Sequence, residues 1–139
     1  MLDTNVLSEI IRARPDDRVI GYVDRLDPDL TFTTAVTMAE IRYGIARLPV
    51  GRRRDTLAAA AEMLFDDILA GRVLAFEAGC TADYAAICAA RESHGRPIAG
   101  ADAMIAAICR WHHAVLVTRN TKDFELTGVD VVDPWQFES

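Results

Sequence analysis

The stretch Ala114-Val-Leu-Val-Thr118 decides the fold class of this chain. It is short and continuously apolar, which is typical of a strand buried on both faces of a parallel sheet. A segment with helical spacing, 100–111, precedes it. Parallel strands need crossover connections, which are usually helices, so the stretch predicts an α/β domain.

The rest of the chain alternates between helical and strand patterns in the same way. The predicted helices cover about 5–14, 16–26, 38–48, 55–69, 81–93 and 100–111, and the predicted strands cover 30–34, 73–76, 114–118 and 129–132. Strands separated by helices imply right-handed crossovers and a sheet covered on both faces. Because no repeat, linker or low-complexity segment interrupts the pattern, residues 1–139 are predicted to form a single domain.

Composition excludes several classes of protein. A hydrophobic content of 51% excludes a disordered chain, and no apolar stretch is long enough for a transmembrane helix. The N-terminus lacks the features of a signal peptide, and the three cysteines form no CxxC pair. These features predict a cytoplasmic protein with reduced cysteines in its core.

The net charge argues against a generic nucleic-acid binder. Fifteen basic residues against twenty-one acidic ones give −6, whereas binders that neutralise phosphates are usually basic. Any chemistry on nucleic acid must therefore be local, and a bound cation could mediate it. The placement of the acids matters more than their number.

Four acids stand at informative places. Asp3, Glu40 and Asp123 fall at or beside the carboxyl ends of predicted strands, where α/β sheets bind ligands. Asp102 is the only charged residue between Ile98 and Cys109, and its helical neighbours are apolar. An ionised carboxylate on such a face is costly unless a charge or a metal compensates it.

Each acid also has a purely structural interpretation. Asp102 lies in the first turn of its predicted helix, where the helix dipole favours an acid, and Asp3 could cap the helix that follows it. Glu40 could be a solvated helix residue, and Asp123 a turn residue. On single residues these alternatives stay open.

Taken together, the four acids favour a metal site. Clustered carboxylates repel one another unless divalent cations lie among them, and oxygen ligands suit Mg²⁺ or Mn²⁺ rather than zinc. The three histidines form no metal motif, and the chain contains no phosphate-binding glycine loop or nucleophile elbow. The pattern indicates water as the nucleophile and phosphate as the substrate.

Four motifs in order give the chain a family resemblance: Leu2-Asp3-Thr4-Asn5-Val6-Leu7-Ser8-Glu9, Ala39-Glu40-Ile41-Arg42-Tyr43-Gly44, Ile98 to Ala107, and Val117-Thr118-Arg119-Asn120-Thr121-Lys122-Asp123-Phe124. They resemble a PIN-domain ribonuclease, and more closely the VapC toxin of a type II toxin–antitoxin pair. The resemblance implies a three-layer α/β/α fold with a short, mainly parallel sheet. It also implies a Mg²⁺-dependent endoribonuclease, a VapB-type antitoxin partner and a homodimer.

Residue by residue, Asp3, Glu40 and Asp102 match the metal-binding, catalytic acids of the family. The fourth acid is Asp123, although many relatives carry an Asp where this chain has Asn120. The side chains expected to support the site are Thr4, Asn5, Thr118 and Asn120. Relatives have several apolar residues before the first Asp, so with only Met1 and Leu2 here the first strand is either very short or begins upstream.

Two further features admit a functional and a structural interpretation. Arg52, Arg53 and Arg54 precede the predicted helix 55–69 and could grip RNA phosphates, or they could simply lie on an exposed loop. The apolar faces of Ile10-Ile11 and of Val19-Ile20-Val23 could form a groove for the antitoxin or could belong to the core.

Two other functions compete with the metal-dependent ribonuclease. One is a phosphohydrolase or phosphotransferase that forms an aspartyl phosphate on Asp3. A haloacid-dehalogenase-like enzyme of this kind needs a second Asp two residues later, where this chain has Asn5. The other is a PIN-like binding module without activity, against which the four acids argue.

Overall fold

The computed structural model describes all residues from Met1 to Ser139. The helices are α1 (Thr4–Ile10), α2 (Asp17–Asp24), α3 (Ala35–Ala46), α4 (Arg52–Met63), α5 (Thr81–Ser93) and α6 (Gly100–His112). The strands are β1 (Thr33–Thr34), β2 (Val73–Leu74), β3 (Leu116–Val117) and β4 (Val131–Val132). A π-helical turn, Leu64–Ile68, continues α4, and short 3₁₀ turns cover Pro28–Leu30, Ala78–Cys80, Thr121–Phe124 and Pro134–Gln136.

The N-terminal residues join two pairs of parallel strands into one sheet. β1 pairs with β2, and β3 pairs with β4, both in parallel. Between the pairs, the backbone N–H of Leu2 donates to the carbonyl of Phe32 at 2.8 Å, and that of Asp3 donates to the carbonyl of Val117 at 3.0 Å. The resulting order is β2, β1, residues 1–3, β3, β4.

Neighbouring residues of the central strands point to opposite faces of the sheet, as strand geometry requires. Leu2 and Val117 belong to a hydrophobic cluster with residues of α1, α2 and α4. Met1 and Leu116 belong to a second cluster with residues of α5 and α6. Two cores on either side of one sheet make the three-layer α/β/α arrangement that the resemblance implies.

The first helix is shorter than predicted. It ends at Ile10 rather than Arg14, because the buried carboxylate of Glu9 turns the chain. Oε1 of Glu9 accepts from Arg12 Nη1 at 3.0 Å, and Oε2 accepts from the backbone N–H of Asp16 at 3.1 Å. These contacts fix the turn that leads into α2.

The predicted strands are also shortened at their ends. Leu30 lies in a 3₁₀ turn that starts where the side chain of Asp27 accepts from the backbone N–H of Asp29, so only Thr33 and Thr34 form β1. By contrast, the predicted range 81–93 coincides with α5. Local side-chain capping explains the shortened strand, and the apolar helix period explains the agreement at α5.

The structure contains no disulfide bond. Cys80, Cys88 and Cys109 are all free thiols, and the first and last of them are buried. None of the helices has both the length and the apolar character to cross a membrane.

Candidate active site

The candidate acids gather where the strand order reverses. The chain passes from residues 1–3 outward to β1 and β2, and then returns to β3 on the other side. The carboxyl ends of residues 1–3 and β3 therefore meet at Asp3 and Thr118, which is the position where open α/β sheets bind ligands. This topology, rather than any single motif, locates the site.

Asp3 is held on both of its carboxylate oxygens. Oδ1 accepts from the backbone N–H of Thr4 at 2.8 Å, so Asp3 does cap α1. Oδ2 accepts from the hydroxyl of Thr118 at 2.7 Å. The capping interpretation and the site interpretation of Asp3 therefore hold together, because each uses a different oxygen.

The hydroxyl of Thr118 is the centre of a polar network. While it donates to Asp3, it accepts from Nδ2 of Asn5 at 3.0 Å and from the backbone N–H of Asn120 at 3.1 Å. Oδ1 of Asn5 in turn accepts from the backbone N–H of Arg119 at 3.1 Å. The supporting residues predicted around Asp3 thus lie in one hydrogen-bonded set.

Glu40 joins the site through the fourth supporting residue. The hydroxyl of Thr4 donates to Oε1 of Glu40 at 2.7 Å and lies 3.2 Å from the hydroxyl of Thr37. Thr37 is buried on the first turn of α3, where its N–H donates to the side chain of Thr34 at 3.0 Å. Glu40 is therefore aimed at the start of α1 rather than left as an unattached surface residue.

Asp102 lies in the first turn of α6 but makes no capping hydrogen bond. The pKa of Asp102 is raised to about 6, first by burial and then by the neighbouring charges of Asp3, Asp123 and Glu40, while Arg91 opposes them. A cap would instead have stabilised the carboxylate. The helix dipole still favours an acid at this position, but no contact of Asp102 supports the capping interpretation.

Asp123 lies on the 3₁₀ turn that follows β3. Its side chain is exposed, and its charge acts on both Asp3 and Asp102. Asn120, the other candidate for this position, is the residue before that turn, and its carbonyl accepts from the N–H of Asp123 at 3.1 Å. Both candidates are thus carried to the site by one short segment.

The four acids oppose one another electrostatically. Burial raises the pKa of Asp3, the hydrogen bonds from Thr118 and Thr4 lower it, and the charges of Glu40 and Asp123 raise it again. No three Asp, Glu, His or Cys side chains are arranged to hold a metal ion by themselves. The donors are nevertheless all oxygens on a negatively charged site, which fits Mg²⁺, an ion that keeps several of its own waters.

Sequence reasoning missed two residues that act on the site: Thr37 contacts Thr4, and the charge of Arg91 acts on Asp102. Thr37 had no signal, because a threonine in a helix is ordinarily unremarkable. Arg91 is buried, and its guanidinium donates to the carbonyls of Arg96 and Glu125, both at 2.7 Å. Arginine is usually exposed. The signal in the sequence was that Arg91 lies four residues after Ile87, on the apolar face of the predicted helix.

From the sequence, Arg52, Arg53 and Arg54 are expected to precede a helix, but in the structure they belong to it. They form the first turn of α4, which begins after Gly51, where the Gly51 carbonyl accepts from the N–H of Asp55 at 3.1 Å. Arginine is a good helix former, so nothing in the side chains delays the helix until Asp55. These arginines are therefore held on a rigid helix rather than on a loop.

The two apolar faces singled out in the sequence meet in the structure. Ile10, Ile20 and Val23 line one cavity of about 320 Å³, together with Leu2 and residues of the π-helical turn. Val19, by contrast, is fully buried and belongs to the core. Only Val19 of these faces is thus core, whereas Ile10, Ile20 and Val23 line an accessible apolar pocket, which we call the α1/α2 pocket.

The comparison with family models settles the family. The model of the PIN domain matches residues 1–129. The chain belongs to the PIN-domain family. This agrees with the resemblance of the four motifs and with the three-layer fold.

Relatives of this PIN domain match it over nearly its whole length. It is 38% identical over 136 residues to VapC ribonuclease Y4jK of Sinorhizobium fredii, which covers 98% of this chain and 97% of that protein. It is also 38% identical over 135 residues to toxin FitB of Neisseria gonorrhoeae, with 97% of each chain covered.

Two solved structures also resemble this PIN domain over nearly its whole length. The structure of FitAB bound to an IR36 DNA fragment superposes with a TM-score of 0.90 at 38% identity, covering 99% of this chain and 96% of that one. The crystal structure of FitAcB from Neisseria gonorrhoeae gives a TM-score of 0.86 at 38% identity, with 98% of each chain covered.

Proposed function

We propose that this PIN domain is a Mg²⁺-dependent endoribonuclease and the toxin of a VapBC-type toxin–antitoxin pair. The observation that carries the proposal is the convergence of Asp3, Glu40, Asp102 and Asp123, whose charges act on one another at the reversal of strand order. Full-length similarity to proteins named VapC ribonuclease and toxin FitB supports the activity and the role.

In the proposed site, Asp3 and Asp102 would hold the ion and Glu40 and Asp123 would complete its surroundings, with Mn²⁺ as a substitute. When bound, a divalent ion lowers the pKa of water and neutralises charge on the phosphate. Thr118 fixes the orientation of Asp3, and Thr4 fixes that of Glu40. Because the pKa of Asp102 is raised to about 6, a cation held beside it would favour its ionised form.

The aspartyl-phosphate alternative lacks support in the geometry. An enzyme of this kind that resembles the haloacid dehalogenases needs a second Asp two residues after the nucleophile, and position 5 is Asn. Asn5, in place of the second Asp, is tied to Thr118 and Arg119. The hydrogen bonds on Asp3 orient its carboxylate, and each oxygen keeps a lone pair for a cation.

A VapB-type antitoxin is the proposed partner, and the α1/α2 pocket is the proposed seat for an apolar segment of it. The pocket is lined mostly by apolar side chains and lies beside α1, which begins at the active site. The names of the solved complexes FitAB and FitAcB motivate this partner. Association into a homodimer is part of the same proposal, and light scattering of the purified chain measures it.

The deciding experiment measures cleavage of total RNA by the full chain. We expect cleavage in Mg²⁺, loss of cleavage in EDTA and recovery in Mn²⁺, with Asp102→Asn inactive in each buffer. Cleavage in EDTA would refute the metal mechanism. An absence of cleavage under all conditions, for a chain that is folded by circular dichroism, would favour a binding module.

A further inference from the structure

A groove lined by arginines lies away from the acids, at the far end of α1. The residues after α1 face the first turn of α4 across a cavity of about 670 Å³. Arg12 and Arg14 line one side and Arg52 and Arg53 the other, with Ile11 and Leu57 among the apolar residues between them. We call this surface the arginine groove.

Most of the positive charge in the arginine groove is uncompensated. Arg12 pairs with Glu9 at 3.0 Å, but Arg14, Arg52 and Arg53 form no ion pair and donate no side-chain hydrogen bond. All four side chains are exposed. In a chain with a net charge of −6, this concentration of free cations marks the groove as a site for an anion.

The arginines of α4 are placed where they oppose their own helix. The N-terminus of a helix carries a partial positive charge and favours acids, yet this one begins with three consecutive arginines. Gly51 supplies no side-chain cap, so the backbone N–H groups of the first turn add to the positive field. Asp55 in the same turn offsets only part of this charge, so an anion bound in the groove would stabilise the arrangement.

The active site can attract a phosphate only through a bound cation, which serves the cleaved bond and not the rest of an RNA chain. Its acids repel phosphates, and the arginine that acts on Asp102 is the buried Arg91, whose guanidinium is engaged by two backbone carbonyls. Affinity for the sugar-phosphate chain must then come from cations beside the site. The arginine groove offers them on rigid elements.

The distance between the arginine groove and the acids of the active site is one that an extended single-stranded RNA can span. Helix α1 starts beside Asp3, spans 7 residues and ends just before the groove. At a rise of about 1.5 Å per residue it covers roughly 10 Å, which a few nucleotides can bridge. We propose that the arginine groove binds the phosphate backbone of single-stranded RNA beside the cleaved bond; the identity of the ligand as RNA rests on the proposed function.

The test compares charge removal inside and outside the groove. In the full chain carrying Asp102→Asn, so that RNA is not consumed, the dissociation constant of a fluorescein-labelled oligouridine is measured at several KCl concentrations. Arg52→Gln with Arg53→Gln should raise the dissociation constant roughly tenfold and lower the salt slope by about 1.4. Arg25→Gln, which removes one charge stacked on Phe137, should change neither.

A melting curve separates binding from folding. Because arginines oppose the dipole at this helix start, the double variant should melt at the same or a higher temperature than the parent. In the background that retains Asp102, the double variant should lower kcat/KM for RNA and leave kcat unchanged. Unchanged oligouridine affinity and salt slope would overturn the proposal.

Two further outcomes distinguish the groove from the function. If the double variant keeps its RNA affinity but loses an acidic partner protein, the groove is a protein-docking surface and the proposal is wrong. If wild-type protein cleaves no RNA while oligouridine binding still depends on the two arginines, the proposed ribonuclease function fails and the groove assignment stands.

Discussion

The hydroxyl of Thr118 donates a 2.7 Å hydrogen bond to Oδ2 of Asp3, joining residues 115 positions apart in the sequence. Both residues are buried, and each ends a strand of the central sheet. The bond lowers the pKa of Asp3 against the effect of burial. It therefore favours the ionised form of the carboxylate and orients it at the point where the four acids converge.

Replacing Thr118 tests this relationship. Thr118→Val should lower the free energy of unfolding by about 1–3 kcal/mol, because Asn5 and the N–H of Asn120 lose their acceptor. RNA cleavage should fall about 10–100-fold, as is usual when a group that orients a metal ligand is removed. Thr118→Ser retains the hydroxyl and serves as the control in urea unfolding and cleavage assays. Equal loss in both variants would assign the effect to packing.

Asp102→Asn should separate stability from activity. The asparagine removes a carboxylate whose ionisation is opposed by burial, so the free energy of unfolding at neutral pH should be unchanged or higher. Cleavage should fall by more than the roughly 100-fold upper value for an orienting residue, since a neutral amide is a poor Mg²⁺ ligand. Melting curves and RNA cleavage measure the two effects. Retained cleavage would return Asp102 to a role at the helix terminus.

The raised pKa of Asp102 also predicts a pH dependence in metal-free buffer. The folded-state pKa of about 6 lies above the ordinary 3.8, so its favourable contribution is complete below pH 3.8 and is lost as the pH rises through 6. The stability advantage of Asp102→Asn over wild type should therefore grow from pH 5 to pH 8 in urea unfolding with EDTA. The groups acting on Asp102 are Asp3, Asp123, Glu40 and Arg91.

Asp16→Asn is the control for this experiment. The hydrogen bonds from Arg18 lower the pKa of Asp16 to about 2, so Asp16 stays ionised throughout the measured range. Its replacement should change stability equally at pH 5 and pH 8. A difference between Asp102→Asn and wild type that does not grow with pH would contradict the assignment of a raised pKa.

Mg²⁺ should stabilise the folded protein through the same acids. At a concentration 100 times its dissociation constant, a ligand of the folded state adds about 2.7 kcal/mol. The thermal shift caused by Mg²⁺ should be smaller at pH 5 than at pH 8, because protons compete for Asp102. It should be nearly absent in Asp3→Asn and Asp102→Asn. An equal shift in all three proteins would place the bound ion elsewhere.

Glu40 and Asp123 should matter less than Asp3. Glu40→Gln keeps an oxygen that can accept from Thr4, and Asp123→Asn leaves Asn120 on the same turn. We expect both variants to keep more activity than Asp3→Asn in the RNA cleavage assay. A double variant, Asn120→Ala with Asp123→Asn, should lose more than the sum of its parts in free energy if the two residues share one position.

The α1/α2 pocket can be tested separately from cleavage. Ile20→Gln places a polar group among the apolar residues that line it, and should weaken partner binding at least tenfold, or about 1.4 kcal/mol, while RNA cleavage continues. Val50→Gln is the control, because Val50 is 88% exposed and lies outside the pocket. Co-purification with the product of an adjacent gene provides the measurement. Unchanged binding would move the partner to another surface.

The sequence by itself determined the α/β class, most helix positions and the identity of the candidate acids. The apolar period of 81–93 is a local property, and it coincides with α5 because packing against one neighbour requires only that face. The acids could be named because carboxyl ends of parallel strands share an edge of the sheet, whatever the details of the turns. The four motifs supplied the family.

The tertiary structure alone decided how those acids are held. Glu9 ends α1 early because its carboxylate accepts from Asp16, and α4 begins at Arg52, which brings two arginines opposite the residues after α1. The 2.7 Å bond from Thr118 to Asp3 exists only after β3 pairs with residues 1–3. Local sequence patterns reflect the conformational preferences of neighbouring residues. The contacts above form only when parts of the chain that are far apart in sequence come together.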